Sequence, residues 1–152
     1  MFTPDEVAGV VDLFGALTPK ETANALSELS YRRGEDPPTN VTDDAIESFK
    51  LIELEADGRR LIVPGPAAFP VLPEGGEDLP HILEVENRSI DHDVIEQAVS
   101  KRFRSAVESV ITAGDRERAN DLIEISYDIE AWGGPDLSSA RPRLEDVTDD
   151  TN

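Results

Sequence analysis

The stretch LIELEADGRRLIV, residues 51–63, decides the fold of this chain. Apolar and polar side chains alternate on both sides of Asp57 and Gly58. A two-residue Asp-Gly turn is a strong hairpin signal, because a type I′ turn needs positive φ at both positions. The turn sets a register in which Glu55 faces Arg60 as an opposite-charge pair. One face then carries the apolar residues Ile52, Leu54, Leu61 and Val63. An isolated hairpin is marginal in water, so we expect this face to lie on helices.

Two segments before the hairpin begin with the same helix-start signal. Thr-Pro-Asp-Glu at residues 3–6 and Thr-Pro-Lys-Glu at residues 18–21 each combine a threonine N-cap with a proline in the first turn. In both, the glutamate completes a capping box. The apolar spacing predicts helices over residues 4–16 and 19–33, and a short third helix over residues 43–50.

Irregular chain is predicted after the hairpin. Four prolines between residues 64 and 73 prevent a continued strand ladder. We expect Phe69, Val71 and Leu72 to pack this segment back onto the body of the protein. Residues 74–90 are predicted to be a linker, in which LPHIL forms either a short strand or a docked loop.

Two long helices follow, over residues 91–113 and 116–131, and only Gly114 and Asp115 separate them. So short a loop predicts an antiparallel helical hairpin. The fold class is therefore α+β and mainly helical, with three helices and a β-hairpin followed by a helical hairpin. The expected domains are a winged-helix-like region 1–73, the linker 74–90, a helical hairpin 91–144 packed on the first part, and a flexible acidic tail 145–152.

Three helices followed by a tight hairpin resemble a winged helix in element order. Residues 42–50 take the place of the recognition helix, and residues 51–63 take the place of the wing. Three stretches also resemble a haloarchaeal family of small acidic proteins with no assigned function: DLFGAL (12–17), LIVPGPAAFPVLPEGGEDLPHIL (61–83) and SYDIEAWGGPDLS (126–138). This second resemblance spans most of the chain and implies no activity and no site.

Charge is the strongest signal in the composition. The chain has 33 Asp and Glu against 14 Lys and Arg, a net charge of −19, and only three of the bases are Lys. At molar salt the Debye length falls to about 3 Å, which screens the repulsion among these acids. The composition therefore predicts a halophilic, archaeal, cytoplasmic protein, with an acidic mesophilic protein as the alternative.

Several classes of function lack their sequence signals. The absence of cysteine excludes disulfide scaffolds and thiol catalysis. The N-terminus does not resemble a signal peptide, and no apolar run reaches the ~18 residues of a membrane span. His81 and His92 are the only histidines, and their positions do not suggest a metal site. Because phosphate-loop and nucleophile motifs are also missing, we expect no cofactor, no metal, no membrane contact and no enzymatic activity.

Basic residues at the turn of the hairpin are the first candidate contact site. Arg59 and Arg60 lie where winged helices place positive charge against nucleic acid. However, Asp43, Asp44 and Glu47 lie in the helix before the hairpin and would repel phosphate. Nucleic-acid binding is therefore open but disfavoured.

A second basic cluster, which includes Arg102 and Arg116, lies where the two long helices meet. It suits either an acidic partner or nucleic acid. The alternative is pairing with neighbouring acids, as Arg104 and Glu108 are one helical turn apart.

Aromatic residues are few, and two of them are candidate protein contacts. Trp132 ends the last predicted helix, and tryptophan is enriched at interface hot spots. Phe69 lies in the proline-rich segment. Tyr127 has helical spacing from Ile123 and is predicted to pack in the core.

Together these features favour a non-enzymatic protein-interaction or regulatory module adapted to high salt, with a protein partner of unknown identity. The alternative is a nucleic-acid-binding transcriptional regulator that uses the wing. Homodimerisation through the long helices is a further alternative.

Dilution of salt tests the charge argument directly. We expect cooperative unfolding, followed by circular dichroism, as KCl is lowered from molar concentration to about 0.1 M, because the repulsion is then no longer screened. An unchanged spectrum over that range would contradict halophilic adaptation.

Overall fold

The computed structural model describes residues 2–149, which contain seven α-helices and one antiparallel β-hairpin. The helices are α1 (Pro4–Phe14), α2 (Pro19–Arg33), α3 (Val41–Glu47), α4 (Leu79–Ile82), α5 (His92–Ala113), α6 (Arg116–Ala131) and α7 (Ala140–Thr148); the strands are β1 (Leu51–Ala56) and β2 (Arg59–Pro64). The α+β, mainly helical class is confirmed. The chain divides into two compact units, with the division after Ile95.

Both predicted capping boxes are present. The Thr3 hydroxyl accepts a hydrogen bond from the Glu6 amide at 3.1 Å, and the Glu6 carboxylate accepts one from the Thr3 amide at 3.0 Å. Thr18 and Glu21 repeat this arrangement at the start of α2. The spacing of threonine and glutamate alone is therefore enough to locate the starts of these two helices.

Helix α1 ends at Phe14, two residues earlier than predicted. Gly15 has φ +85°, and a Cβ atom there would lie 1.9 Å from the carbonyl oxygen of Arg88. The Arg88 amide also donates to the Phe14 carbonyl at 2.9 Å. Only glycine allows the chain near residue 88 to approach the end of α1 this closely.

Helix α3 is shorter than predicted and ends at Glu47 instead of residue 50. Phe49 has φ +63° and is fully buried, and its carbonyl accepts a hydrogen bond from Ala67 at 3.0 Å. This left-handed residue turns the chain out of α3 and into β1.

The register predicted from the Asp57-Gly58 turn is confirmed, from Leu51 opposite Pro64 to Ala56 opposite Arg59. A bridge between Leu17 and Ile62 was not predicted. In it each residue donates its amide to the other's carbonyl, at 3.0 and 2.7 Å. Strand β2 therefore pairs with β1 on one edge and with Leu17 on the other.

The predicted apolar face of the hairpin is buried, and the opposite face buries apolar side chains as well. Leu51 and Ile62, on the opposite face, belong to the hydrophobic core formed with α1, α2 and α3. Leu17, whose backbone pairs with that of Ile62, belongs to the same core. The predicted apolar residues are buried as well, but outside that core: Ile52, Leu54, Leu61 and Val63.

The predicted linker at residues 74–90 is folded onto the N-terminal unit. It contains a 3₁₀ turn, Gly76–Asp78, and α4 in place of a strand. Leu79 is fully buried in the N-terminal core. Burial of this leucine explains why a proline-rich and glycine-rich segment still takes a defined path.

The C-terminal unit contains a helix that the sequence analysis missed. Helix α7 contacts α6, and its Leu144 is fully buried. The prediction of a flexible tail from residue 145 is therefore wrong for residues 145–148, which are helical. The last residues of that predicted tail, 150–152, lie outside the described part of the chain.

Replacement of Gly15 tests the close contact between the end of α1 and Arg88. Gly15→Ala should lower the free energy of unfolding by at least about 2 kcal/mol, because it adds backbone strain and a clash. Gly34→Ala is the matched control, since Gly34 also has positive φ, at +68°, but nothing lies near its missing Cβ. Gly34→Ala should lower the free energy of unfolding by only about 1 kcal/mol. If denaturant titrations in molar KCl show equal losses of unfolding free energy for Gly15→Ala and Gly34→Ala, the close contact with Arg88 is ruled out.

Candidate functional site

Three large apolar side chains are exposed together in the segment after the hairpin. Phe69 is 75% exposed, Val71 51% and Leu72 41%. We call these three residues the apolar strip. The prediction that they pack onto the body of the protein is wrong, because it is the backbone of this segment that is held there.

The backbone of the strip is bonded to the first turn of α1. The Asp5 carboxylate accepts a hydrogen bond from the Phe69 amide at 3.1 Å. Two residues later, the Val71 amide donates to the Asp5 carbonyl, also at 3.1 Å. A Cβ atom on Gly9 would lie 2.1 Å from the Val71 carbonyl oxygen, so glycine is needed for α1 to run this close.

Lys50 completes this anchor. Its ammonium group lies 2.9 Å from the Asp5 carboxylate and donates to the Ala67 carbonyl at 3.4 Å. Partial burial raises the pKa of Asp5, but the hydrogen bonds from Lys50 and Phe69 outweigh it and hold that pKa below its usual value. Asp5 is therefore a charged acceptor for both groups.

The chain beyond the strip is held by the end of α2. Arg33 donates to the Glu74 carbonyl at 3.2 Å, and Arg32 pairs with Asp78 at 3.3 Å. Arg33 also stacks over the Phe2 ring, at 4.7 Å from its centroid. The strip therefore has a fixed backbone on both sides and apolar side chains that face solvent.

A second tie holds the chain between α4 and α5. The Arg88 guanidinium forms two hydrogen bonds to the Glu21 carboxylate, one of them at 3.1 Å, and a third to the Ala16 carbonyl at 3.2 Å. The bond from Arg88 lowers the pKa of Glu21. Glu21 thus caps α2 and binds Arg88 at the same time.

The wing tip is exposed as predicted, but the pairing of its arginines differs. Arg60 contacts Glu53 at 3.3 Å, diagonally across the hairpin, and not Glu55. The Arg60 side chain is 68% exposed and that of Glu53 is 37% exposed, so this pair contributes little stability. Arg59 has no ion pair with any described residue. Asp43, in the first turn of α3, is exposed.

The second basic cluster is spread over two helices. Arg102 is exposed on α5, and Arg116 is the exposed first residue of α6. The predicted Arg104 pair with Glu108 is not formed, because Glu108 pairs with Arg143 of α7 at 2.8 Å.

Trp132 is half-buried at the end of α6, in a different unit from Phe69. The prediction that Tyr127 lies in the core is wrong, because its side chain is 56% exposed. The Arg141 guanidinium covers the Tyr127 ring at 4.2 Å and pairs with Glu130 at 3.0 Å. Helix α6 instead buries Ala119, Leu122, Ile125, Ser126 and Ile129.

The residues of these two ion pairs, Asp5 with Lys50 and Glu21 with Arg88, were not predicted from the sequence. Asp5 and Lys50 are 45 positions apart, and Glu21 and Arg88 are 67 apart. In a chain with 33 acids, many acid–base pairings are available, and no spacing rule selects these two.

The described range, residues 2–149, offers neither a cluster of metal ligands nor a membrane-spanning helix. No group of three or more histidine and carboxylate side chains in that range is placed to hold a metal ion. None of its helices is both long enough and apolar enough to cross a membrane.

The fold and the anchored strip define an α+β, mainly helical protein whose first unit has the element order of a winged helix. The chain belongs to a family of unknown function, DUF7109, whose family model matches residues 5–149. No curated protein and no solved structure matches it.

Replacement of Asp5 should release the strip. We expect Asp5→Ala to lower the free energy of unfolding by about 1–3 kcal/mol at neutral pH, because it leaves two donors without their acceptor. Since the folded-state pKa is lowered, this contribution is present above the usual value of 3.8 and is lost as the pH falls through the lower folded-state value.

Denaturant titrations at several pH values check this expectation. Asp12→Ala removes an exposed acid from the same helix and should change stability by no more than about 0.5 kcal/mol. If Asp5→Ala lowers the free energy of unfolding equally at neutral and strongly acidic pH, the charged Asp5 carboxylate does not anchor the strip.

Proposed function

We propose that this chain is a non-enzymatic protein-interaction module, adapted to high salt, that presents the apolar strip to a protein partner. The observation that carries the proposal is the exposure of Phe69, Val71 and Leu72 on a backbone held by Asp5 and Lys50. Isolated exposed apolar residues are ordinary, but three within four positions on an anchored backbone are typical of a recognition surface.

The fixed backbone reduces the entropy that binding would cost. Hydrogen bonds from Phe69 and Val71 to Asp5 already order this segment, and Pro70 restricts the backbone between them. Burial of each large apolar side chain contributes roughly 1.5–3 kcal/mol. A preordered strip retains more of that free energy as affinity.

The chemistry of the partner follows from the charges near the strip. Glu74 and Glu77 follow it closely and are exposed, while Lys50, Arg32 and Arg33 are engaged in contacts within the chain. We therefore infer a partner with an apolar pocket and a basic rim. At molar salt the charges are screened, and apolar burial carries the affinity.

A nucleic-acid-binding regulator is the second candidate, and the exposed wing tip with Arg59 favours it. The acids at the start of α3, Asp43 and Asp44, oppose it. The response to salt separates the two candidates. Affinity for DNA falls steeply with salt, whereas binding through the apolar strip should not fall.

Substitutions in the strip test the first candidate. Capture of binding proteins in molar KCl from a lysate of the source organism should recover a partner with the wild-type chain and lose it with Phe69→Ser. Tyr31→Ser is the matched control, because Tyr31 is 82% exposed on α2 and outside the strip. It should retain the partner.

The affinity of the recovered partner should fall at least about tenfold in Phe69→Ser, as expected for a loss of roughly 1.4 kcal/mol or more. Equal capture by both variants would refute the strip as the contact surface. Salt-sensitive binding to duplex DNA in fluorescence anisotropy, lost on replacement of Arg59 and Arg60 by alanine, would favour the second candidate instead.

A further inference from the structure

Strand β1 leaves one edge of the hairpin open. In an antiparallel pair of strands, opposite residues alternate between those that exchange backbone hydrogen bonds and those that do not. Ile62 exchanges both of its backbone bonds with Leu17, so it does not exchange them with Glu53, the residue opposite it on β1. The backbone amide and carbonyl of Glu53 therefore point away from β2.

The same direction applies to every second residue of β1. The backbone groups of Glu55 point outwards like those of Glu53, whereas Leu54 between them bonds to Leu61 of β2. Within the described chain, no hydrogen bond reaches the backbone amide or carbonyl of Glu53 or Glu55. Both residues are exposed. Two amides and two carbonyls thus form a row along this edge.

An open strand edge of this kind can accept a further strand. The added chain forms main-chain hydrogen bonds with the edge, and its alternate side chains decide which sequence fits. The hairpin that carries the edge is already fixed, because Leu51 and Ile62 lie in the helical core and Leu17 pairs with the other edge of β2. An added strand therefore does not have to order the hairpin when it binds.

Charge along the edge indicates which strand would fit. Glu53 and Glu55 lie two positions apart on one face of β1, and Glu55 has no ion pair with any described residue. A second copy of this chain, paired in this register, would place these acids opposite each other, which is unfavourable. Basic side chains at alternate positions would instead pair with both carboxylates.

We propose that the open edge of β1 binds an extended segment of a partner protein that carries basic side chains at alternate positions. Two basic residues of the segment lie opposite Glu53 and Glu55 and exchange backbone hydrogen bonds with them. The residue between them lies on the other face of the sheet, beside Leu54, which is 7% exposed. An apolar side chain suits that position. This contact is separate from the apolar strip and does not rest on the function proposed for the strip.

The test uses the full-length, ¹⁵N-labelled protein in constant molar KCl. The probe is the peptide Thr-Val-Lys-Val-Lys-Val-Thr with both ends blocked, and its titration should give saturable shifts of the β1 amide signals. Binding should slow the solvent exchange of the Glu53 and Glu55 amides. The Leu54 amide is already bonded within the hairpin, so its exchange should not change. Strand addition predicts this alternation, and attraction between charges does not.

Two N-methylated forms of the peptide separate the backbone contact from the charge contact. Methyl groups on both lysine amides remove the donors that face Glu53 and Glu55, and this form should bind at least about tenfold more weakly. A methyl group on the central valine amide, which points away from β1, should leave the affinity unchanged. A peptide with glutamate in place of both lysines should bind at least about fourfold more weakly, because like charges then face each other.

Proline substitutions on the two edges of the hairpin form a matched pair. Glu55→Pro removes an amide that the hairpin does not use, which an edge strand tolerates, and should weaken peptide binding at least about tenfold. Arg60→Pro makes the same change on the outer edge of β2, opposite Glu55, and should bind the peptide at least as tightly as the wild-type chain. Glu55→Gln keeps the backbone and should weaken binding about two- to fivefold, which keeps the test valid if a proline variant does not fold.

Three results would overturn the proposal. They are shifts that do not saturate, equal affinity for the two N-methylated peptides, and unchanged exchange of the Glu53 and Glu55 amides in the bound state. Protection of these amides by self-association without peptide, followed in a concentration series, would assign the edge to a second copy of this chain and would overturn the choice of partner. Phe69→Ser should leave the peptide titration unchanged, so failure at the edge is distinct from failure at the strip.

Discussion

The Asp5 carboxylate is the contact on which the arrangement of the N-terminal unit depends. It lies in the first turn of α1 and binds both Lys50, just before β1, and the Phe69 amide, beyond β2. One side chain thus joins the first helix, the start of the hairpin and the irregular segment after it. Because Lys50 and Asp5 are both less than one third exposed, salt screens this pair less than a surface pair.

Several of the basic side chains in this chain form ion pairs that join separate segments. Lys50 binds Asp5, Arg88 binds Glu21, and Arg141 binds Glu130. Each of these bases contacts an acid on a different segment of the chain and also donates to a carbonyl or hydroxyl group. These ties engage bases that would otherwise be available to contact phosphate, in a chain with a net charge of −19. This use of cations supports the proposal of a protein contact over a nucleic-acid contact, although the element order resembles that of a winged helix.

The apolar strip, as a proposed contact surface, would respond to salt differently from a charged surface. Apolar burial at the strip is not weakened by strong salt, whereas contacts between exposed charges are screened. Molar KCl therefore favours recognition through shape, apolar area and directed hydrogen bonds over recognition through charge alone.

The sequence by itself determined the hairpin, its register and the starts of α1 and α2, because an Asp-Gly turn and a capping box act over four residues or fewer. It did not reveal α7, in which Leu144 is the buried residue and Pro142 obscures the helical pattern. Only the tertiary structure decided that Leu51 and Ile62 face the helical core, since Leu17 pairs with β2 from a distant part of the chain. It also decided that the strip is exposed. The local sequence shows which residues are apolar. Contacts with segments 45 or more positions away decide whether an apolar side chain is buried.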